Sequence, residues 1–154
     1  MQVVDGRRYW EIPRREFWDS VAFYNYVQEP VATSAGVAPT PAMYRQSDIA
    51  FSAVISDLAP THILVVSRRL WESMVQSENA NTTELAGQVR DIRTYQQSLA
   101  TWIPHPSRFF SVKKWHPIVR AYLGLTPNTA FQGRLNFDVD FMVLKCQMYS
   151  LVTQ

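Results

Sequence analysis

Asp138 and Asp140 form the chain's one arrangement of carboxylates that an enzyme could use. Two residues apart on a strand they share a face, with Cα atoms roughly 6.6–6.8 Å apart. Carboxylates so placed can share a Mg²⁺ ion or divide acid and base roles. Phosphotransfer needs a third acidic group, for which Glu72, Glu78 and Asp91 are available. The simpler reading makes Asn136, Asp138 and Asp140 the wet face of a half-buried strand, and it is the one expected. His62, His105 and His116 stand 43 and 11 residues apart, which matches no helical metal-ligand spacing, and no thiol is near them. The single cysteine, Cys146, sits among Leu144, Met148 and Tyr149 with no base implied beside it, so a small buried hydrophobe is expected. The glycines at 6, 36, 87, 124 and 133 are too scattered for a phosphate-cradling loop or a dinucleotide fingerprint. No serine has the flanking glycines of a hydrolase elbow. The expectation is therefore a non-enzyme with no catalytic residues, no metal and no cofactor.

Charge and aromatic placement carry the stronger signal. Between Asp91 and Asp138 there is no carboxylate side chain, yet that stretch holds Arg93, Arg108, Lys113, Lys114, Arg120 and Arg134. Trp102, Phe109, Phe110, Trp115 and Tyr122 are interleaved with these cations. Cations neutralise phosphates while rings and guanidinium planes stack on bases, so residues 93–134 are a candidate surface for RNA or DNA. The same cations could instead meet acidic surface on the same or another subunit. Of the 15 basic residues only Lys113, Lys114 and Lys145 are lysines, and guanidinium groups fork onto phosphates and carboxylates where ammonium groups do not.

These residues must be positioned by a domain of 154 residues with net charge +2, 47% hydrophobic and 18% charged. Such a chain can bury a core and is too apolar for disorder. Mean hydropathy is −0.16. The most apolar windows, 49–66 and 135–152, are broken by Asp57 and Pro60 and by Asp138, Asp140 and Lys145, so no membrane span is expected. Charges run through residues 1–20, so no signal peptide is expected, and a cytoplasmic location is. One cysteine leaves no disulfide framework.

Along the chain, Pro13 opens a predicted aromatic helix on which Phe17, Trp18, Val21 and Tyr24 recur at three- and four-residue spacing, ended by Glu29-Pro30. Trp10, Phe17, Trp18 and Tyr24 are its candidate interface residues, since Trp, Tyr and Arg dominate binding energy. Residues 30–42, rich in proline, read as a linker or arm. Alternation at Ile49, Phe51, Ala53 and Ile55 predicts a strand over 49–56, and the run 62–67 a second strand in a sheet interior. Leu85, Val89, Ile92, Leu99 and Ile103 lie three, four or seven apart and predict a long surface helix at about 82–102, capped by Asn81 and Glu84 and stopped by Pro104. A short strand is expected at 109–112, while 118–125 fits a strand or a helical turn. Leu135, Phe137, Val139, Phe141 and Val143 alternate as a final strand. The result is an α+β, mainly β chain in three parts: arm 1–29, linker 30–42 and β-rich domain 43–154.

The order of a hairpin at 49–56 and 62–69, a helical excursion, SRFFSVKKW at 107–115 and FQGRLNFDVDFMVLKC at 131–146 resembles the jelly-roll coat proteins of small icosahedral viruses. That resemblance implies an antiparallel, jelly-roll-like sandwich. It also implies self-assembly into a homo-oligomeric shell with basic residues facing the genome, in a virion or host cytoplasm. The functional expectation is thus a structural self-assembly protein, a capsid or virion subunit contacting neighbours and genome phosphates. The alternative is a nucleic-acid-binding module that does not build a shell.

Overall fold

A computed structural model of the chain describes residues 3–4, 7–8, 21–31, 37–105, 110–125 and 141–145. In chain order these form β1 (Val3–Val4), β2 (Arg7–Arg8), β3 (Val21–Asn25), α1 (Pro41–Leu58), β4 (His62–Val66), α2 (Arg68–Ser73), β5 (Asn79–Leu85), β6 (Gln88–Tyr95), β7 (Ser98–Ile103), α3 (Val112–Leu123) and β8 (Phe141–Lys145). β1 and β2 pair as a short antiparallel ribbon. The other six strands make one mixed sheet in the order β3-β8-β4-β7-β6-β5. Its first four strands are mutually parallel, and β7, β6 and β5 form an antiparallel meander.

β4 accounts for the layering. All five of its residues, His62 to Val66, are buried, as a parallel strand covered on both faces requires. Ile63 and Val65 join Ala100 and Met142 beneath Tyr44, Phe51 and Ile55 of α1 and Leu70 and Trp71 of α2. Leu64 and Val66 point the other way, with Val21, Ile92, Ile103 and Val143, to meet Trp115, Ile118 and Tyr122 of α3. The protein is therefore α+β, with helices on both faces of the mixed sheet. Among the described residues no helix is long and apolar enough to cross a membrane.

Several local expectations are corrected. Residues 82–102 are not a helix but the meander β5–β6–β7. Turns at 86–87 and 96–97 fold the chain so that Leu85, Ile92, Leu99 and Ile103 still collect on the α3 face, while Val89 is exposed. Residues 49–56 are not a strand but part of α1, whose buried positions Tyr44, Ser47, Phe51 and Ile55 step by three and four; Ile49 is 81% exposed. The helix begins inside the expected linker: Pro41 is a first-turn proline, and the Thr40 hydroxyl caps the Met43 N–H at 3.3 Å. Val21–Asn25, expected as helix, is the edge strand β3, in keeping with its β-branched and aromatic content; residues 13–20 of that expected helix lie outside the described residues. Val112 opens α3 instead of closing a strand, because the Ser111 hydroxyl accepts from the Lys114 N–H, and 118–123 continue that helix. The expected antiparallel sheet is parallel over four strands. Of the expected last strand, 135–140 lie outside the described residues, and β8 occupies 141–145.

The β5–β6 turn yields a first prediction. Leu85 pairs with Gln88 across Ala86-Gly87, both at positive φ (50° and 77°). A two-residue loop with two positive φ values is the turn that favours Asn-Gly, and Ala86 pays for its left-handed backbone. Ala86→Asn should raise stability by about 0.5–1 kcal/mol, read as a higher urea midpoint at unchanged m-value. Gly87→Ala should do the opposite, although no atom lies within 4 Å of the added Cβ, because φ of +77° alone strains it.

Candidate nucleic-acid interface

Parallel strands leave all their carboxyl ends on one sheet edge, and chemistry-bearing residues gather there in open α/β sheets. The register sets Val65 beside Trp102 and Val66 beside Ile103, so β4 and β7 end together. Beyond β4 the chain caps α2 with Ser67, whose hydroxyl accepts from the Leu70 N–H at 3.3 Å, and places Arg68 in the first turn. Beyond β7 it enters α3, so Lys113 and Lys114 start that helix at the same edge. β6 runs antiparallel to β7 with Arg93 opposite Ala100, which brings Arg90 alongside the end of β7. There Arg90 donates to the Trp102 carbonyl.

The result is an alternating series of cations and rings. Arg68 lies 6.0 Å from the Trp102 ring centroid, and Arg90 4.6 Å from Trp102 and 4.9 Å from Trp115. Lys114 lies 5.3 Å from Trp115, and the two indoles are 6.3 Å apart. Trp102 also packs against the α1-side core, while Trp115 belongs to the α3-side core, so the pair stands where the two layers meet at the sheet's end.

The members differ in freedom. Arg90 is half-buried; desolvation pulls its guanidinium below the ordinary value, and the neighbouring Asp91 carboxylate opposes that shift. An arginine remains cationic at neutral pH regardless, so Arg90 is a fixed positive charge under the rings. Its Nε is buried without a hydrogen-bond partner among the described residues. Arg68 is 72% exposed and pairs at 2.7 Å with Glu72 one turn on. An exposed pair of that spacing contributes about 0.3–0.5 kcal/mol, so a stronger anion can displace the carboxylate. Lys113 and Lys114 are exposed, and among the described residues no carboxylate pairs with them. The first turn of α3 contains no acidic residue, leaving its N–H groups and dipole favourable to an anion.

The residues expected from sequence divide. Lys113 and Lys114 lie at this edge. Arg120 is exposed in the last turn of α3, about 9 Å along the helix from Lys114 at 1.5 Å per residue. Arg93 is on the opposite face: it lies 3.9 Å over Trp71, donates to the Trp71 carbonyl at 2.6 Å, and so fastens α2 to the sheet. Arg108 and Arg134 lie outside the described residues, as do Trp10, Phe17 and Trp18 of the candidate interface. Tyr24 is half-buried, stacked on Phe51 at 6.5 Å. Asp138, Asp140 and Cys146 also lie outside the described residues. Among the described residues no three His, Cys, Asp or Glu groups converge as a metal site would need. Glu72 pairs with Arg68, Glu78 accepts the Gln96 N–H at 3.1 Å, and Asp91 lines an open hollow with Arg93, Ala80, Asn81 and Thr82. His62 is buried at the sheet's amino edge, its ring nitrogens 2.9 Å from the Thr61 hydroxyl and 3.0 Å from the Leu125 carbonyl.

Arg68 and Arg90 are the residues that sequence reading missed. Both precede the acid-free window, and only the sheet register carries them to it. One signal was present: Ser-Arg-Arg directly after a fully apolar strand marks cations at a strand's carboxyl end. No protein-family model, curated protein or solved structure matches this chain.

Proposed function

We propose that the protein binds nucleic acid, with Arg68, Lys113 and Lys114 taking backbone phosphates along the carboxyl edge of the sheet. The observation that carries this reading is the alternating series Arg68–Trp102–Arg90–Trp115–Lys114, built from four separate elements onto one edge. Arg90, held under the indoles, keeps positive potential at the edge, while the exposed Arg68 and Lys114 supply the exchangeable contacts. Phosphate contacts of this kind make affinity fall with salt, by about 0.7 in logarithmic slope for each contact to a single strand.

The test is the anisotropy of a labelled 20-nucleotide strand titrated with the protein between 50 and 200 mM salt. Combining Arg68→Glu with Lys114→Glu should weaken binding at least ten-fold and flatten the salt slope by about 1.4. Both side chains are exposed, so the variants should keep their unfolding midpoints. Arg120→Glu, at the far end of α3, should change affinity less than two-fold. Failure of the wild-type protein to bind at 50 mM salt would remove this reading.

A second reading, the self-assembling virion subunit, draws on the two sheet edges, β3 and β5, each of which pairs on one side only among the described residues. An edge strand is a template for pairing with another chain. A jelly-roll sandwich for such a subunit calls for about eight antiparallel strands in two sheets. The four-strand parallel block lends that arrangement less support than the basic edge lends to nucleic acid. Light scattering behind a sizing column separates the readings: assembly requires a mass many times 17.8 kDa.

A further inference from the structure

We infer that the hollow between the amino end of α1 and α2 is a binding site for a phosphate monoester, held by Arg45 and Arg69. The hollow has a volume of about 420 Å³. Small-molecule sites run to roughly 300–1,000 Å³ and pair an apolar wall with a few convergent polar groups. Here Pro39, Pro41 and Tyr44 make the wall, and Arg45, Arg69 and the Ser73 hydroxyl are the polar groups. Among the described residues no carboxylate lines it. The fold brings these groups together from two elements. α1 runs 18 residues, about 27 Å, from Pro41 to the turn that feeds β4, so its amino end lies toward the carboxyl edge of that strand. α2 starts at the same edge, directly after β4. Successive helical residues diverge by about 100°. Arg68 therefore faces Trp102 while Arg69, its neighbour, lines the hollow.

Charge decides what the hollow takes. Arg45 and Arg69 are exposed, and among the described residues neither pairs with a carboxylate. The acids one turn beyond them are engaged elsewhere: Asp48 accepts from the Tyr26 hydroxyl and Glu72 from Arg68. The first turn of α1 contains no acidic residue, so its dipole adds to the positive potential of the two side chains. Two unneutralised guanidinium groups lining one hollow fit an anion of about two charges. A phosphate monoester carries about −1.5 to −2 at neutral pH, whereas a backbone diester carries about −1. Its terminal oxygens accept from forked guanidinium donors and from a hydroxyl, the pairing that arginine matches best. The site shares no residue with the proposed strand contacts and stands on its own. A phosphate monoester reaches it from one of two sources: the 5′ end of a phosphorylated strand lying along the neighbouring basic edge, or a free nucleotide-sized compound.

The test is titration of the full chain with inorganic phosphate at pH 8, with ionic strength held constant by sodium chloride. The Ser73 amide signal in the NMR spectrum should shift saturably. Arg45→Gln and Arg69→Gln should each weaken that response at least about five-fold, for the loss of charge-assisted hydrogen bonds. The double variant should abolish saturation. Arg120→Gln, on α3, should change the response by under about two-fold. Both replaced side chains of the hollow are exposed, so the variants should keep their urea midpoints. A 12-nucleotide strand with and without a 5′-phosphate then separates the sources. Tighter binding of the phosphorylated strand, lost in the double variant, identifies the strand end as the ligand. Equal affinities for the two strands, or none, beside a saturable phosphate response identify a free compound. No saturable response to inorganic phosphate, or one that the double variant retains, overturns the site and leaves the strand contacts of Arg68 and Lys114 untouched.

Discussion

Phe51→Ala should destabilise the protein by about 3–5 kcal/mol, the range for removing a wholly buried aromatic side chain. Phe51 has no exposed surface and is the hub of the α1-side core. Its ring meets Tyr24 at 6.5 Å, Tyr26 at 5.1 Å and Tyr95 edge-on at 5.5 Å. Two of those tyrosines also carry polar links. Tyr26 donates to the Asp48 carboxylate and accepts the Val75 N–H at 3.3 Å, and Tyr95 donates to the Val75 carbonyl at 3.0 Å. Truncating Phe51 would leave a void that the tyrosines can fill only by abandoning these bonds, which places the expected cost toward the upper end of the range. Domains of this size are stable by about 5–15 kcal/mol, so the variant should unfold at a much lower urea concentration. Phe51→Leu, closer in volume, should cost under half as much. A loss below about 1 kcal/mol for the alanine variant at unchanged m-value would show that α1 does not hold the sheet through this ring.

Stability should also fall steeply above pH 10. Tyr122 is wholly buried in α3, and its hydroxyl accepts the Ile63 N–H at 3.0 Å and lies 3.0 Å from the Ile63 carbonyl and 2.5 Å from that of Leu99. Burial pushes this phenol well above its ordinary value, with the Ile63 backbone bond opposing in part. Tyr26 is raised by burial first and then by its bond to Asp48. The sign follows from proton counting. Below pH 10 both states keep the phenol protons, and neither tyrosine makes stability depend on pH. Above it the unfolded chain releases them and the folded chain does not, so the unfolded state binds fewer protons and is favoured as pH rises. Tyr122 alone contributes a slope of about 1.4 kcal/mol per pH unit, and Tyr26, which has no exposed surface, steepens it further. Urea midpoints should be flat to about pH 9.5 and drop beyond it. Tyr122→Phe should cost about 1–3 kcal/mol at pH 8, because it orphans the Ile63 N–H, yet show a shallower alkaline slope. An alkaline slope that Tyr122→Phe leaves unchanged would contradict this account.

The fold was legible where one residue pattern admitted one structure. His62–Val66 could only be an interior strand: five apolar or satisfied residues in a row need cover on both faces. The misreadings arose where two periods coincide. Leu85, Ile92 and Leu99 are seven residues apart, two turns of a helix, but two-residue hairpins between strands return the chain to the same face at the same interval. In α1 the buried stripe includes the polar Ser47, whose hydroxyl is satisfied by the Met43 carbonyl at 2.8 Å. Without Ser47 the stripe is incomplete, and the accidental alternation of Ile49, Phe51, Ala53 and Ile55 stands out instead. The basic edge was half legible for a similar reason. Lys113 and Lys114 are local in sequence to Trp115, whereas Arg68 and Arg90 reach Trp102 only through strand pairing, which no window along the chain can register.

The position of β8 has a consequence for synthesis. This strand, residues 141–145, lies between β3 and β4 and supplies the only ladder joining them among the described strands. A nascent chain can form β4, the meander and α3 as its residues emerge, since their pairings close over short distances. β3, made more than a hundred residues before β8, has no neighbour among the described strands of its sheet until Phe141–Lys145 leave the ribosome. Until then β3 lacks the β8 ladder that fixes it in the sheet, a demand that falls on chaperones rather than on the finished fold.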